Sequence, residues 1–431
     1  DTPLRIIAWG ELGLDGSIKD AGHRMRTLCS AMLEKVDCVV LPPHPKNEEA
    51  LELLRKGEKG KEIRIQIVTA LTLTEAWMKI QELQRGDPPS SLSLPALQST
   101  AAPEVAATDT TLLGPKTSQL MPIRESLARA LGVSAAGAHH LLLLGPKGTG
   151  KSHALEWLSA IQPPSSWSSQ ITQILLAELN TTEDCSYEKS VPIRRIGASA
   201  RAAALLGSVS ALSMRVGEYS LAHGGLLIAD EFPEWPRDSR ESLREPLERG
   251  KVTLSRTRGT IELPALFTLA ANGNLCPCGG QLDNPTQEAS RRCRCLPHKR
   301  SEYLNRLSGP VLDRIDLVIK LTSENTLVPA EARKAPVTPL ELRTQVLKSH
   351  ARALNAYGKP AGLLQGDELE ELLIQRPDWL KYLNASGSSS LRSRHKILRI
   401  AISLGLWDNS ELELAHFLEA ASYRHERLFK T

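Results

Sequence analysis

Short apolar runs separated by helix-period stretches set the rhythm of this chain. In the first 85 residues, apolar runs at 4–9, 38–41 and 63–68 alternate with amphipathic stretches, which predicts a small α/β piece. Residues 86–118 lose that periodicity and turn to Pro, Ser, Ala and Thr, the composition of a linker. Alternation resumes at 119, with helix-like runs at 121–131 and 153–161 and apolar runs at 141–144, 226–229, 267–271 and 317–321. Strands that alternate with helices are joined by crossovers, so this part reads as a parallel sheet covered by helices. Residues 338–431 carry helical periodicity alone, and no fixed-period repeat is present. The expected organisation is an α/β piece at 1–85, a linker at 86–118, a sheet domain at 119–322 and a helical domain at 323–431.

Composition narrows the class. The 431 residues suffice for two or three cores, and 41% hydrophobic content is that of a soluble globular chain. No run of ~18 apolar residues occurs, which excludes a membrane-spanning helix. The chain opens on Asp1 inside what reads as a domain, without a charged-apolar-small leader, which implies residues upstream. Of seven cysteines, four are bunched in C-x-C pairs. That is no disulfide framework, and it suits a reducing cytoplasm and a metal. The net charge of +4 says little by itself. Its distribution says more: Arg194, Arg195, Arg201, Arg256, Arg258, Arg291, Arg292, Arg294, Lys299 and Arg300 lie in segments that do not read as core. They are either solvated surface charge or a surface that tracks nucleic-acid phosphates.

The sharpest chemistry follows the four leucines at 141–144. Gly145-Pro146-Lys147-Gly148-Thr149-Gly150-Lys151-Ser152 fits the phosphate-loop pattern G-x-x-x-x-G-K-[ST] without a mismatch, and a helix-like segment leads out of it. Glycines let backbone N–H groups face phosphate oxygens, and the helix N-terminus adds its positive dipole end. Lys151 then reaches the β- and γ-phosphates, and the Ser152 hydroxyl ligates Mg²⁺. The apolar run at 226–229 ends in Asp230, suited to holding Mg²⁺, and Glu231, suited to polarising an attacking water. Two carboxylates at the end of a buried strand are costly without a cation. Together the two motifs point to ATP hydrolysis. The run at 267–271 ends in Asn272 and Asn274, either of which could hydrogen-bond γ-phosphate and lytic water; as turn residues they would need no function. Arg314 stands just before a strand and Arg392 opens a helix, and phosphoryl transfer needs such positive charge on the moving group.

Longer stretches carry a resemblance: GEYSLAHGGLLIADEFPE at 217–234, LREPLERGKVTLSR at 243–256, Cys276-Pro277-Cys278-Gly279 with Cys293-Arg294-Cys295, YLNRLSGPVLDRIDL at 303–317 and AHFLEAASYR at 415–424. On these residues the chain from 119 to 431, and more loosely from 1 to 85, resembles the ComM/YifB family of magnesium-chelatase-like AAA+ ATPases. The resemblance implies a P-loop AAA+ core with a C-terminal helical lid. It also implies a homohexameric ring that hydrolyses ATP at subunit interfaces and moves single-stranded and branched DNA, with branch migration in natural transformation as the known role. A recombinase is a further partner it suggests; a membrane is not. By the same resemblance Asn274 is the sensor-1 residue, Arg314 the arginine finger acting on a neighbour, and Arg392 the sensor-2 arginine of the lid. Two departures stand out: IGASA at 196–200 replaces a Pro-His-His stretch, and Ser-Ser-Leu-Arg replaces Leu-Ser-Ala-Arg at the lid arginine.

Residues 10–16 (GELGLDG) and 38–42 (CVVLP) resemble the later half of a Lon-protease-like, ribosomal S5-fold-like domain. Met25 stands where the protease carries its catalytic lysine, and a thioether is no general base, so proteolysis is not expected. A role in binding or ring assembly fits better. Residues 251–263 alternate apolar and polar positions around Arg258-Gly259, a hairpin signature. In related rings a hairpin before sensor 1 points toward the pore, which would put Arg256 and Arg258 near DNA phosphates; the alternative is a surface hairpin. Cys276, Cys278, Cys293 and Cys295 could close a tetrahedral Zn²⁺ site with Zn–S near ~2.3 Å. C-x-C is tighter than the usual C-x-x-C, so free or disulfide-bonded cysteines stay open. The basic Arg291, Arg292 and Arg294 between them suggest a loop that touches DNA. Two other classes compete with the DNA motor: a magnesium-chelatase-type subunit and a protein-remodelling AAA+ ATPase.

Overall fold

A computed structural model of the chain describes residues 4–34, 36–44, 66–85, 120–180, 191–210, 214–256, 259–280, 293–307, 309–322, 337–387 and 390–424. The chain divides into two compact units, one of Asp1–Ala106, Ser165–Lys189 and Val209–Val216, the other of Ala107–Pro164, Ser190–Ser208 and Gly217–Thr431.

In the first unit lie β1 (Ile6–Ala8), a small antiparallel pair β2 (Glu11–Leu12) and β3 (Ile18–Lys19), β4 (Cys38–Leu41) and β5 (Gln66–Thr69). The strands β1, β4 and β5 make a parallel sheet in that order. The helix Trp167–Glu178 belongs here, although it lies within the stretch read as the sheet domain. Its apolar residues Trp167, Ile171, Ile174 and Leu175 recur at helical spacing and pack on Leu28, Cys29 and Ala31 of the helix Arg24–Leu33. Its last residue, Glu178, is buried and accepts the Arg26 N–H at 3.1 Å. Met25 lies on that helix, with its side chain outside the described residues.

The second unit is built on β6 (Leu141–Leu144), β7 (Ile193–Ile196), β10 (Leu226–Ala229), β13 (Thr268–Gly273) and β14 (Leu317–Lys320), with β11 (Lys251–Arg256) paired to β12 (Gly259–Pro264). Strands β8 (Gly207–Val209) and β9 (Met214–Val216) fall between β7 and β10 along the chain, and β9 belongs to the first unit. The five form one sheet in the order β14-β6-β13-β10-β7, and every pair is parallel. A parallel sheet with helices on both faces buries both sides of its inner strands, which is why β6 and β10 read as unbroken apolar runs. Successive side chains still point to opposite faces. Leu141 and Leu143 join Leu155, Leu158 and Trp157 on one side, while Leu142 and Leu144 join Tyr219, Phe232 and Trp235 on the other. The edge strand β7 was not legible in the sequence. It reads Ile-Arg-Arg-Ile and borders only β10, so its arginines stay solvated or paired, Arg194 with Glu218 at 2.7 Å.

The C-terminal part is helical, as expected, with helices Pro339–Tyr357, Gly366–Gln375, Pro377–Ala385, Leu391–Asp408 and Leu414–Ser422. The first starts on a capping box in which Thr338 Oγ1 accepts from Glu341 N–H at 3.2 Å and Glu341 Oε2 accepts from Thr338 N–H at 2.8 Å. These helices share a core with the sheet: Ile397, Leu398, Ala401 and Phe417 pack with Leu127, Leu131 and Leu141. Polar ties add direction. Buried His139 meets Ser403 Oγ at 2.7 Å and Asp316 at 3.4 Å. Arg129 forks to Asp408 at 2.6 and 2.8 Å and to Glu419 at 2.8 and 3.0 Å. No helix among the described residues is long and apolar enough to cross a membrane.

Arg129 is about a quarter exposed, so its double fork stands between a surface pair and a buried one. Arg129→Met should lower the unfolding free energy by about 2 kcal/mol at neutral pH, read by urea titration. The Arg129 hydrogen bond holds the Asp408 carboxyl below its ordinary value. That contribution is present above the unfolded value of ~3.9 and is lost as pH falls through the lower folded one, so the gap between the two proteins should close in acid. Equal stabilities at neutral pH would remove the fork as the tie between these helices.

Candidate nucleotide site

Parallel strands aligned in register present all their C-terminal ends at one edge of the sheet, where ligands bind in open α/β folds. Leu144 at the end of β6 is level with Gly273 of β13, and Ala229 at the end of β10 with Ala271. The segments that leave β6, β10 and β13 at this edge therefore meet. They are 145–152, Asp230-Glu231 and Asn274, so the structure brings together most residues singled out from sequence.

The phosphate-loop residues Gly148 and Gly150 sit at φ of 79° and 81°, the left-handed region, and Gly150 caps the helix Lys151–Ala160. Thr149 is buried and donates to Pro146 O at 2.9 Å, which closes the loop on itself. Ser152 is exposed in the first helical turn. Lys151 Nζ donates to Gly145 O at 2.8 Å, Pro146 O at 2.6 Å and Asn274 Oδ1 at 3.1 Å. Burial pulls this ammonium down to about 8, against the pull of Glu231 and with the help of Lys147.

Glu231 adopts a left-handed backbone, φ 51° and ψ 42°, which is strained for a residue with a side chain. Asn272 holds it there. Its Oδ1 accepts the Glu231 N–H at 2.8 Å, and its Nδ2 donates to Asp230 Oδ1 at 2.8 Å. Trp235 Nε1 donates to Asp230 O at 2.9 Å, and Arg195 lies 3.6 Å from the Asp230 carboxylate. The two candidate asparagines thus divide the work: buried Asn272 positions the carboxylates, while Asn274 faces the lysine. The roles of Asn272 and Arg195 as partners of Asp230 rest on contacts between strands distant in sequence, and no local signal announces them.

Arg314 and Arg392 are elsewhere. Leu317 is level with Leu141, so Arg314 lies beyond the N-terminal end of β6, a strand ~13 Å long, and away from Gly145. It donates to Pro310 O at 2.6 Å and to the Glu248 carboxylate. Arg392, at the start of the helix Leu391–Asp408, is 3.8 Å from the same carboxylate. Both line a cleft of about 630 Å³ with Lys251, Lys396 and Arg399, and no phosphate-loop residue borders it.

The hairpin forms as read: β11 pairs antiparallel with β12 from Lys251↔Pro264 to Arg256↔Gly259. Val252 and Leu263 bury its base, and Lys251 pairs with Glu262 at 2.6 Å. The Arg256 side chain and Arg258 lie outside the described residues, as do Arg291 and Arg292; Arg294 is exposed. The four cysteine sulfurs lie within 4.8 Å of one another, and all four residues are free thiols.

Lys151 must carry its proton to bind phosphate. Affinity for a fluorescent ATP analogue should therefore hold steady around pH 7 and fall about tenfold per unit above a pH of about 8. Titrations at about pH 7, 8.5 and 9.5 read this, and a flat profile would take Lys151 out of the phosphate contact.

The family model of the magnesium chelatase subunit ChlI matches residues 121–327. The chain is 32% identical over 344 residues to the uncharacterised protein YifB of Salmonella typhimurium, covering 78% of this chain and 63% of that protein. It is 32% identical over 312 residues to the Escherichia coli protein of the same name, covering 70% and 59%. It is 34% identical over 308 residues to the competence protein ComM of Haemophilus influenzae, covering 69% and 57%. The chain thus spans about three fifths of the length of the curated relatives it matches. Carrying the family's phosphate loop, acidic strand end and C-terminal helices on one parallel sheet, it belongs to the ComM/YifB family of magnesium-chelatase-like AAA+ ATPases.

Proposed function

We propose that this chain is the motor part of an ATP-hydrolysing ring that moves single-stranded and branched DNA, acting on recombination intermediates in natural transformation. The observation that carries the ring is the separation of the charges. The phosphate loop and the carboxylates lie at one edge of the sheet, while Arg314 and Arg392 lie at the other around Glu248. An arginine on the transferring phosphoryl group stabilises the charge of the transition state. A chain that holds Arg314 and Arg392 away from its own loop can supply them in a head-to-tail ring, each subunit serving its neighbour.

Within such a site Lys151 contacts the β- and γ-phosphates, and Ser152 and Asp230 hold Mg²⁺, which offsets the phosphate charge. Glu231 orients and polarises the attacking water, and Asn272 keeps its backbone in place. Asn274 positions the Lys151 ammonium and stands ready to sense the γ-phosphate. The DNA reading is supported by the hairpin before β13, which ends in Arg256 and Gly259, and by the likeness to a protein named for competence. A chelatase-type role, suggested by the family model alone, would leave the ring and its ATPase intact and require no response to DNA.

ATP turnover should rise with single-stranded and forked DNA and the rise should shrink with salt, while added forks are branch-migrated; turnover indifferent to every DNA would sink the motor. Replacing Arg256 and Arg258 by Ala should flatten the salt dependence of DNA binding by about one log–log unit per lost phosphate contact. An unaltered slope takes the hairpin out of the DNA path. Trans action has its own test. Lys151→Ala and Arg314→Ala chains, each inactive alone, should recover roughly a quarter of wild-type turnover when mixed equally, since about one interface in four joins an intact Lys151 to an intact Arg314. No recovery would put both residues in one subunit's site.

A further inference from the structure

We propose that Cys276, Cys278, Cys293 and Cys295 hold a Zn²⁺ ion, and that the loaded knuckle sets the phosphate loop for nucleotide through the Gly279 backbone. The sulfur geometry is that of a metal site. Cys276 Sγ lies 3.3 Å from Cys278 Sγ and 3.4 Å from Cys293 Sγ, and the Cys278–Cys293 sulfurs are 3.6 Å apart. Four thiolates at ~2.3 Å from one tetrahedral Zn²⁺ would stand ~3.8 Å from each other. Backbone N–H groups point at two of the sulfurs, Gly280 at Cys278 (3.3 Å) and Cys295 at Cys293 (3.4 Å), the outer support that thiolate ligands take. All-sulfur tetrahedral coordination selects zinc or iron over the hard cations of the nucleotide site.

The knuckle lies against the phosphate loop. Gly279 O accepts the Lys147 N–H at 2.9 Å, and the Gly279 N–H closes a turn on Cys276 O at 3.1 Å. Gly279 has φ of 70°, the left-handed region that favours glycine, and a Cβ there would come within 2.6–2.8 Å of the Lys147 side-chain carbons, so a larger residue would strain this backbone and displace the lysine. Upstream, Gly273 O accepts the Gly145 N–H at 3.2 Å and Asn274 accepts from Lys151 at 3.1 Å. One segment, 273–279, therefore clasps the loop at Gly145, Lys147 and Lys151. The sheet anchors its near end through β13. Its far end is fixed by the cysteine cluster, and four crowded thiolates need a dication to stay converged. With the ion removed, the Gly279 carbonyl loses its fixed position and the Lys147 turn its restraint.

This inference rests on the phosphate loop being the nucleotide site, which Lys151→Ala tests by itself: that variant should no longer bind a fluorescent ATP analogue. The purified full chain should carry one zinc per molecule by elemental analysis, with iron near zero. Stripping it with a zinc-selective chelator, Mg²⁺ kept in excess, should weaken binding of the analogue about tenfold, the loss of one well-placed hydrogen bond, and Zn²⁺ should restore it. Gly279→Ala should keep its zinc yet bind the analogue as weakly as the stripped chain. Cys295→Ser should lose both, with circular dichroism checking that it folds. Substoichiometric zinc would overturn the metal site. Full zinc with affinity unchanged on stripping and in Gly279→Ala would overturn the coupling, and neither result touches the nucleotide assignment.

Discussion

The burial of β6 on both faces is the constraint from which the site follows. Leu141–Leu144 is fully enclosed, with β13 on one side, β14 on the other and helices above and below. A strand so placed has no freedom of register, because a slip of one residue would exchange its two sets of leucines between cores of different shape. The loop at 145–152 is therefore delivered to one point on the sheet edge. The parallel neighbours deliver Asp230-Glu231 and Asn274 to the same edge by the same rule. The chemistry needs a few side chains held to fractions of an ångström, and the fold provides this by starting the loop from an inner strand packed on both faces.

The site keeps unfavourable features that the surrounding contacts offset. A half-buried ammonium at Lys151 is desolvated, and three acceptors compensate it only in part, which is why its proton is held loosely. Glu231 sits in a backbone conformation that costs of order 1 kcal/mol or more. Asn272 offsets this with two hydrogen bonds that need Asp230 and Glu231 in that conformation. In the proposed site, a carboxylate on a strained turn would be preorganised toward an attacking water, and the neutral amide that fixes it from behind adds no competing charge.

How far the sequence foretold this depended on whether a feature was local. The leucines of β6, the run of β10 and the hairpin are local patterns of burial and turn chemistry, and each was legible. So was the meeting of phosphate loop and acids, because parallel strands share an edge. The strand Ile193–Ile196 was not, since an edge strand tolerates arginines whose partners, Glu218 and Asp230, lie far along the chain. The helix Trp167–Glu178 was not singled out in the sequence either, and its partner, the helix Arg24–Leu33, lies some 140 residues earlier in the chain. Asn272 and Asn274 were equivalent on residue chemistry alone; the resemblance singled out Asn274, and only the contacts with Asp230 and Glu231 give Asn272 its separate place. The resemblance named Arg392 as a lid arginine, and its place beside Arg314 comes only from the packing of the C-terminal helices.

That place carries a last consequence for the ring. Glu248 holds Arg314 by a charge-assisted bond and Arg392 more loosely, and the Arg314 bond keeps its carboxyl well ionised. Glu248 is half exposed, so these pairs are of the weak surface kind, on the order of 1 kcal/mol. A phosphate oxygen in a drier interface offers a guanidinium a stronger, bidentate partner. In the proposed ring, then, Glu248 keeps both arginines extended toward the neighbour without competing seriously with its nucleotide. A more deeply buried partner would hold them more firmly and give them up less readily. In that proposed ring, the weakness of the pairing would let one carboxylate order two arginines and still release them to the bound phosphates next door.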